Sequence, residues 1–179
     1  MGSGGREHAL AWRLARDPSS PEVMAAPGNP GMAARFECVP LDLADVSAAV
    51  TVARRASADL VVIGPEAPLA AGLADALAAA GLNGFGPSRE AARLESSKWF
   101  AKQLMFEAGV PTARAEEFER PDNARSGLDR FGPPWVIKAD GLAAGKGVLV
   151  TRDRGEAEEF LDESLCGRRF GESTARLRV

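Results

Sequence analysis

The chain has 179 residues, 45% of them hydrophobic and 26% charged, which is the balance of a globular protein with one ordinary domain or two small ones. Its formal net charge is −3 and 6% of its residues are aromatic. A nucleic-acid surface, which needs a basic field and stacking side chains, is therefore not expected. The sequence has no run of roughly 20 apolar residues that could span a membrane. Its two cysteines, Cys38 and Cys166, lack metal-ligand spacing, and we expect a cytoplasmic protein.

A glycine loop stands at the start of the chain, Gly2-Ser3-Gly4-Gly5, and leads into a predicted helix over 6–15. Such a loop offers free N–H groups and the positive end of a helix dipole to an anion. The arrangement normally follows a strand, and since only Met1 precedes it here, we expect a parallel sheet that lacks its first strand. Glu7 stands where the dinucleotide fingerprint needs its third glycine, which favours phosphate binding over a dinucleotide site.

Strand and helix patterns alternate up to about residue 95, which predicts a doubly wound parallel sheet for a first domain over 1–95. The apolar run 60–63 is typical of a buried parallel strand, and open α/β sheets bind ligands in the loops beyond the carboxyl ends of such strands. Glu66 lies in one of these loops, directly after Pro65, whose ring fixes the backbone. Its carboxylate either holds the hydroxyls or the amine of a sugar, or is an acid that a helix dipole favours.

A second domain is predicted over 96–179. Its first helix, 96–108, carries Lys98 and Lys102 four residues apart and therefore on one face. These lysines either reach a ligand or form a solvated face. Further helices are predicted at 122–131 and 157–165, and the last four residues begin another strand.

The segment 134–150 of the second domain, PWVIKADGLAAGKGVLV, reads as a strand, a glycine-rich loop and a strand. Gly141, Gly145 and Gly147 allow backbone angles that a Cβ forbids. The loop can lay several N–H groups against a phosphate, and Lys138 and Lys146 add positive charge. A P-loop is excluded, because it needs four residues between its first glycine and Gly-Lys, and then a helix. The alternatives are a hairpin lid over a nucleotide and an ordinary hairpin with two solvated lysines; a lysine inside the strand favours the lid.

These segments together resemble the phosphoribosylamine–glycine ligase family, enzymes of purine synthesis with an ATP-grasp fold. The resemblance covers nearly the whole chain, in the family's order, and rests on GSGGREHALAW, APGNPGM, VVIGPEAPLAAGL, FGPS, SSKWFAK and the hairpin. It implies an α/β fold with two parts. An N-terminal pre-ATP-grasp domain, which binds phosphoribosylamine, is expected over 1–95, and part of an ATP-grasp α+β domain over 96–179.

The resemblance also implies where ligands bind. ATP is expected at Lys98, Lys138, Gly141, Gly145, Lys146 and Gly147. The substrate pocket is expected at Gly2, Ser3, Gly4, Gly5, Arg6, Glu7, Asn29, Pro65 and Glu66. In that pocket Asn29 is the polar contact and the glycine loop holds the sugar phosphate. Taken alone, Arg6 and Glu7 are equally ordinary helix-start residues, and 28–31 is equally an ordinary turn.

The implied reaction joins glycine to 5-phosphoribosylamine with ATP, through a glycyl phosphate. Mg²⁺ is expected as cofactor, with its ligands outside this chain, and neither catalytic nor metal-ligating residues are assigned. The expected partners are the small molecules glycine, 5-phosphoribosylamine and ATP, without nucleic acid or membrane. Two alternatives stay open: another ATP-grasp carboxylate–amine ligase, and a truncated, non-catalytic nucleotide-binding fragment.

Overall fold

The computed structural model describes residues 1–141 and 147–165 of the chain, and the backbone of 177–178. The chain divides into two compact units, Met1–Ala92 and Arg93–Val179. Each unit packs its own cluster of buried apolar side chains. Within the described residues, every helix is too short or too polar to pass through a bilayer.

Short parallel strands organise the first unit: β1 (Met24–Ala25), β2 (Glu37–Cys38), β3 (Val61–Val62) and β4 (Gly84–Phe85). β1 pairs with β2, and β3 pairs with β4, in two two-stranded parallel sheets. Met1 and Gly2 bridge the two sheets. On one side the Gly2 amide donates to the Ala26 carbonyl at 2.8 Å, and on the other the Gly64 amide donates to the Met1 carbonyl at 3.1 Å. Two residues thus bridge the gap predicted in the sheet, and the predicted parallel α/β architecture is confirmed.

Six helices surround these strands in the described residues: α1 (Gly5–Leu14), α2 (Pro30–Ala33), α3 (Val46–Arg55), α4 (Glu66–Ala70), α5 (Leu73–Ala79) and α6 (Arg89–Ser96). α3 begins where it does because the Asp45 carboxylate accepts from the Ala48 amide at 2.9 Å, which satisfies an N–H that the helix leaves free. α3 and α5 pack their apolar faces together, with Ala49 and Leu73 fully buried. This core holds β3 and the loop that follows it.

The second unit is an antiparallel sheet with helices. Its helices are α7 (Lys98–Glu107), α8 (Pro121–Phe131) and α9 (Arg154–Leu165), and its strands are β5 (Glu117–Phe118), β6 (Trp135–Ala139), β7 (Val148–Thr151) and β8 (Leu177–Arg178). The sheet order is β5-β8-β6-β7. β6 and β7 pair in antiparallel register from Trp135↔Thr151 to Lys138↔Val148. The Ala139 amide also donates to the Gly147 carbonyl at 2.8 Å, which closes the stem of the predicted hairpin.

Side chains of β6 alternate between two environments, as a strand with one buried face requires. Trp135, Ile137 and Ala139 are buried, and Ile137 is 0% exposed. The Trp135 indole N–H donates to the Leu128 carbonyl of α8 at 2.9 Å, so the only polar group of this buried side chain has a hydrogen-bond partner. Val136 and Lys138 lie on the opposite, exposed face. The core therefore fixes β6 and leaves Lys138 on the open side of the sheet.

Candidate functional site

The glycine loop of the first unit is built around the side chain of Glu7. Its carboxylate accepts from the Gly4 amide at 2.7 Å, and the side chain is 9% exposed. A Cβ on Gly2 or on Gly64 would lie 2.3 Å from the Glu7 Cγ atom. Both glycines are therefore needed for Glu7 to pack between the first loop and the loop after β3. Burial raises the pKa of Glu7, but hydrogen bonds from Arg6 and Gly4 outweigh it and hold that pKa below its ordinary value.

Arg6 connects the glycine loop to the loop that follows β3. Its guanidinium lies 2.8 Å from the Glu66 carboxylate and 3.0 Å from that of Glu7. The hydrogen bond from Arg6 is the largest of the causes that hold the pKa of Glu66 below its ordinary value. Both Arg6 and Glu66 stay solvent-accessible, with side chains 55% and 38% exposed. Glu66 is therefore ionised, oriented and still within reach of a ligand.

The turn after β1 is clamped to the same glycine loop. The Asn29 side chain donates to the Ser3 carbonyl at 3.0 Å and accepts from the Met32 amide at 2.9 Å. A Cβ on Gly31 would lie 2.8 Å from His8, so the imidazole packs against this turn. The side-chain oxygen of Asn29 caps α2 and its amide holds the loop. Its predicted role as a polar contact to substrate stays a prediction.

These contacts bring the predicted substrate residues to one end of the parallel strands of the first unit. The glycine loop, the turn at Asn29 and the loop at Pro65–Glu66 are joined by the bonds just described and by one from the Gly28 amide to the Gly2 carbonyl at 3.2 Å. The grouping has backbone N–H groups at the start of α1 and the Glu66 carboxylate, which Arg6 joins to the same loop. It combines an anion-binding element with an acceptor for hydroxyls or a cationic amine.

The second unit contains a cavity of about 420 Å³ beside the exposed face of β6. Four cations line it, Lys98, Lys102, Arg114 and Lys138, together with apolar groups that include Phe131 and Val136. The described lining residues include no carboxylate. A cluster of positive charges raises the local concentration of anions. The cavity is therefore suited to a ligand that is both polyanionic and partly apolar.

Three of the four lysines of the chain, Lys98, Lys102 and Lys138, line this cavity. The fourth, Lys146, lies outside the described residues. Lysine and arginine are not interchangeable, because an ammonium is a compact point charge that several phosphate oxygens can approach. The chain thus keeps lysine where a phosphate ligand is predicted.

Lys98 and Lys102 are both held by backbone carbonyls. The Lys98 ammonium donates to the Gly141 carbonyl at 2.9 Å, and the Lys102 ammonium donates to Thr112 Oγ1 at 2.6 Å and to the Ala113 carbonyl. Each ammonium has three N–H donors. Lys98 therefore connects α7 to the first glycine of the hairpin, whose φ of +97° favours glycine. Gly145 and Lys146, predicted to bind ATP, lie outside the described residues.

Two groups at this site were not predicted from the sequence. Asp140 accepts from Ser97 Oγ at 3.0 Å and from the Lys98 amide at 2.7 Å. Arg114 lies over the Phe131 ring, 4.5 Å from its centroid, and donates to the Arg130 carbonyl at 3.3 Å. Asp140 lies within the predicted hairpin segment 134–150, and that position was a usable signal. Arg114 lies in an irregular stretch, and no pattern in the sequence predicts its position in the cavity.

Among the residues that the structure describes, no group of three or more His, Cys, Asp or Glu side chains is arranged to hold a metal ion.

Comparison with known proteins identifies the family. Residues 1–95 match the model described as phosphoribosylglycinamide synthetase, N domain, and residues 96–179 match its ATP-grasp (A) domain. The phosphoribosylamine–glycine ligase of Phenylobacterium zucineum strain HLK1 is 53% identical over 100% of this chain and 42% of its own length. That of Agrobacterium fabrum strain C58 is 50% identical over 93% of this chain and 40% of its own. The chain spans about two fifths of the length of these relatives.

Solved structures agree with this result. The crystal structure of phosphoribosylamine–glycine ligase from Thermotoga maritima has a TM-score of 0.78 and 34% identity, and the match covers 99% of this chain and 41% of that one. A biotin carboxylase–β-γ-ATP complex from Campylobacter jejuni has a TM-score of 0.72 and 22% identity over 96% of this chain and 42% of that one, a likeness of fold alone. The chain therefore belongs to the phosphoribosylglycinamide synthetase family, of which it carries the N domain and residues of the ATP-grasp domain.

Proposed function

We propose that this chain forms the amine-substrate domain and part of the nucleotide domain of a ligase that joins glycine to 5-phosphoribosylamine with ATP, in purine biosynthesis. The observation that carries the proposal is the cavity of the second unit, where four cations meet and no described lining residue is a carboxylate. Fixed cations of this kind bind polyphosphates well. The matches of both halves to one enzyme family support the choice of substrates.

In this proposal the cations act on the triphosphate. Phosphoryl transfer is catalysed mainly by positioning and by stabilising charge on phosphate oxygens. Lys138 reaches the α- and β-phosphates from the exposed face of β6, and Lys98 reaches them from the start of α7. Gly141, Gly145, Lys146 and Gly147 close over the β- and γ-phosphates. The hydrogen bond from Ala139 to Gly147 supports the closed stem that such a loop needs.

The first unit holds the second substrate in the same proposal. The N–H groups of Ser3 and Gly5 bind the sugar phosphate at the start of α1. The amides of Gly2 and Gly4, which donate to the Ala26 carbonyl and to the Glu7 carboxylate, hold the loop in the shape that this contact needs. Glu66, with Pro65 fixing its backbone, accepts hydrogen bonds from the sugar or its amine. Its ionised state, which the Arg6 hydrogen bond favours, suits that role.

Magnesium belongs to the proposal as the ion that would neutralise part of the negative charge of ATP. It takes oxygen ligands, and carboxylates from beyond the described residues are expected to supply them. The described cations, Lys98 and Lys138, would instead contact the phosphates directly. A cytoplasmic location is part of the same proposal and is supported by Cys38, a free thiol typical of a reducing compartment.

The test of this function is phosphate release by the purified protein. We expect release with ATP, glycine and freshly prepared 5-phosphoribosylamine together, and little with ATP alone. Release with a different acceptor amine would favour another carboxylate–amine ligase. ATP binding without release under any of these conditions would favour a non-catalytic nucleotide-binding fragment.

Glu66→Gln is expected to raise the KM for 5-phosphoribosylamine about tenfold or more and to leave the KM for ATP unchanged. The amide keeps the shape of the side chain but loses the charge, and hydrogen bonds to charged groups are worth about 1.5–3 kcal/mol. Steady-state kinetics with each substrate varied in turn measures both constants. Glu37→Gln, at an exposed position on β2 outside the site, is the matched control. An equal rise in both KM values would contradict the assignment of Glu66.

A further inference from the structure

Asp140 lies between the end of β6 and Gly141, the first glycine of the hairpin. We infer that Asp140 is a positioning residue for ATP binding, which acts by fixing Lys98 and Gly141 relative to each other. The inference rests on the proposed function. Asp140 lies more than 40 residues along the chain from the start of α7 yet contacts it twice: its carboxylate accepts from Ser97 Oγ at 3.0 Å and from the Lys98 amide at 2.7 Å (separations of 43 and 42 residues).

Asp140 caps α7, a helix that lies far from it in the chain. The first N–H groups of a helix have no partner within it, and a carboxylate there is favoured by the helix dipole. Ser97 supplies one cap to α7, accepting from the Phe100 amide at 3.2 Å. Asp140 supplies the second, because it accepts from the Lys98 amide and from Ser97 itself. The start of α7 is therefore attached to the end of β6.

The ammonium of Lys98 is held as well. It donates to the carbonyl of Gly141, the residue after Asp140, at 2.9 Å. Lys98 is thus held at both ends, its backbone by Asp140 and its ammonium by Gly141. A side chain held in this way loses little conformational entropy when it binds a ligand. The ammonium has three donors, so it can keep the Gly141 bond and still contact a phosphate oxygen.

Without the Asp140 carboxylate, the first half of this arrangement is lost. α7 keeps its own cap at Ser97, so the helix is expected to form. The start of α7 and the root of the hairpin would no longer be joined through a charged hydrogen bond, and Lys98 would approach the phosphates from a less defined position. Asp140 itself is negative and is not expected to touch the triphosphate. Its effect on ATP binding should therefore pass through Lys98.

A double-mutant cycle tests this route. ATP dissociation constants are measured by titration calorimetry for the unmodified protein, Asp140→Ala, Lys98→Ala and the double variant. We expect Asp140→Ala to weaken ATP binding about tenfold when Lys98 is present, and less than twofold in the Lys98→Ala background. A loss of the same factor in both backgrounds, or no loss in either, would overturn the inference, because Asp140 would then act on the fold in general or not at all.

Asp153→Ala is the matched control, because the Asp153 carboxylate also caps a helix of the same unit, accepting from the Glu156 amide at 3.0 Å, and does not line the cavity. Both Asp153→Ala and Asp140→Ala are expected to lower the thermal midpoint by a few degrees, but Asp153→Ala is expected to leave the ATP dissociation constant within twofold. A tenfold loss of affinity in this control would overturn the specific role of Asp140. If the unmodified protein binds no ATP, both the proposed function and the inference are wrong. If it binds ATP but the effects of Asp140→Ala and Lys98→Ala on the dissociation constant are additive, only the inference is wrong.

Discussion

Replacing Lys138 with alanine is expected to weaken ATP binding by about 10- to 100-fold while the fold stays intact. The ammonium lies on the exposed face of β6 and lines the cavity, so its removal leaves the core unchanged. A charge-assisted hydrogen bond to phosphate is worth about 1.5–3 kcal/mol, and each 1.4 kcal/mol is tenfold in affinity. Titration calorimetry with ATP measures the loss, and the far-ultraviolet circular dichroism spectrum checks the fold.

Two further variants make the Lys138 result specific. Lys138→Arg keeps the charge but replaces the compact ammonium with a planar fork, and we expect an intermediate affinity. Arg152→Ala removes a positive charge from an exposed position after β7 that does not line the cavity, and we expect the ATP dissociation constant to change less than twofold. An affinity for ATP that is unaltered in Lys138→Ala would refute the role of this lysine.

Ile137→Ala is expected to lower the free energy of unfolding of the second unit by about 2–5 kcal/mol. Ile137 is adjacent to Lys138 in the chain, but its side chain is 0% exposed and packs with Leu128 and Trp135 in the core. Shortening it removes buried methyl groups and leaves a cavity that the neighbours fill only in part. Urea denaturation followed by tryptophan fluorescence measures the change, since Trp135 lies in the same cluster.

The control for this substitution is Val136→Ala on the opposite face of β6. Val136 is 41% exposed, so its truncation should cost less than about 1 kcal/mol. If both substitutions lowered the free energy of unfolding equally, β6 would not have one buried and one open face. The placement of Lys138 in the cavity would then be wrong as well. Ile137→Ala is also expected to keep its affinity for ATP at temperatures where it remains folded.

Much of the hairpin was predictable from the sequence because its signals are local. The alternation of Trp135, Ile137 and Lys138 sets which side chains face the core once the strand has a buried side. The glycine at 141 marks a backbone turn, and the structure has a φ of +97° there. The strand at 60–63 and the helix at 6–15 were predicted for the same reason, since hydrophobic period and helix caps involve residues a few positions apart. β2 and α2 were not predicted.

The candidate sites are formed by contacts between residues far apart in the chain, and no local pattern in the sequence predicts such contacts. The sequence marked Glu7 as a substrate residue on family grounds, and the tertiary structure gives its carboxylate a buried position against Gly64, a residue far along the chain. Arg114 enters the cavity only because α8 brings Phe131 beneath its guanidinium. Whether Gly145 and Lys146 bind ATP stays a prediction.

By itself, the sequence determined the family, the alternating βα pattern of the first unit and the strand–loop–strand form of the hairpin. The tertiary structure decided which charged groups meet: Arg6 with Glu66, Asp140 with Ser97 and Lys98, and four cations around one cavity. The physical reason is the range of the interactions. Backbone propensity and hydrophobic period act between near neighbours in the chain, whereas hydrogen bonds between side chains act through space and exist only after packing has brought distant segments within about 3 Å of each other.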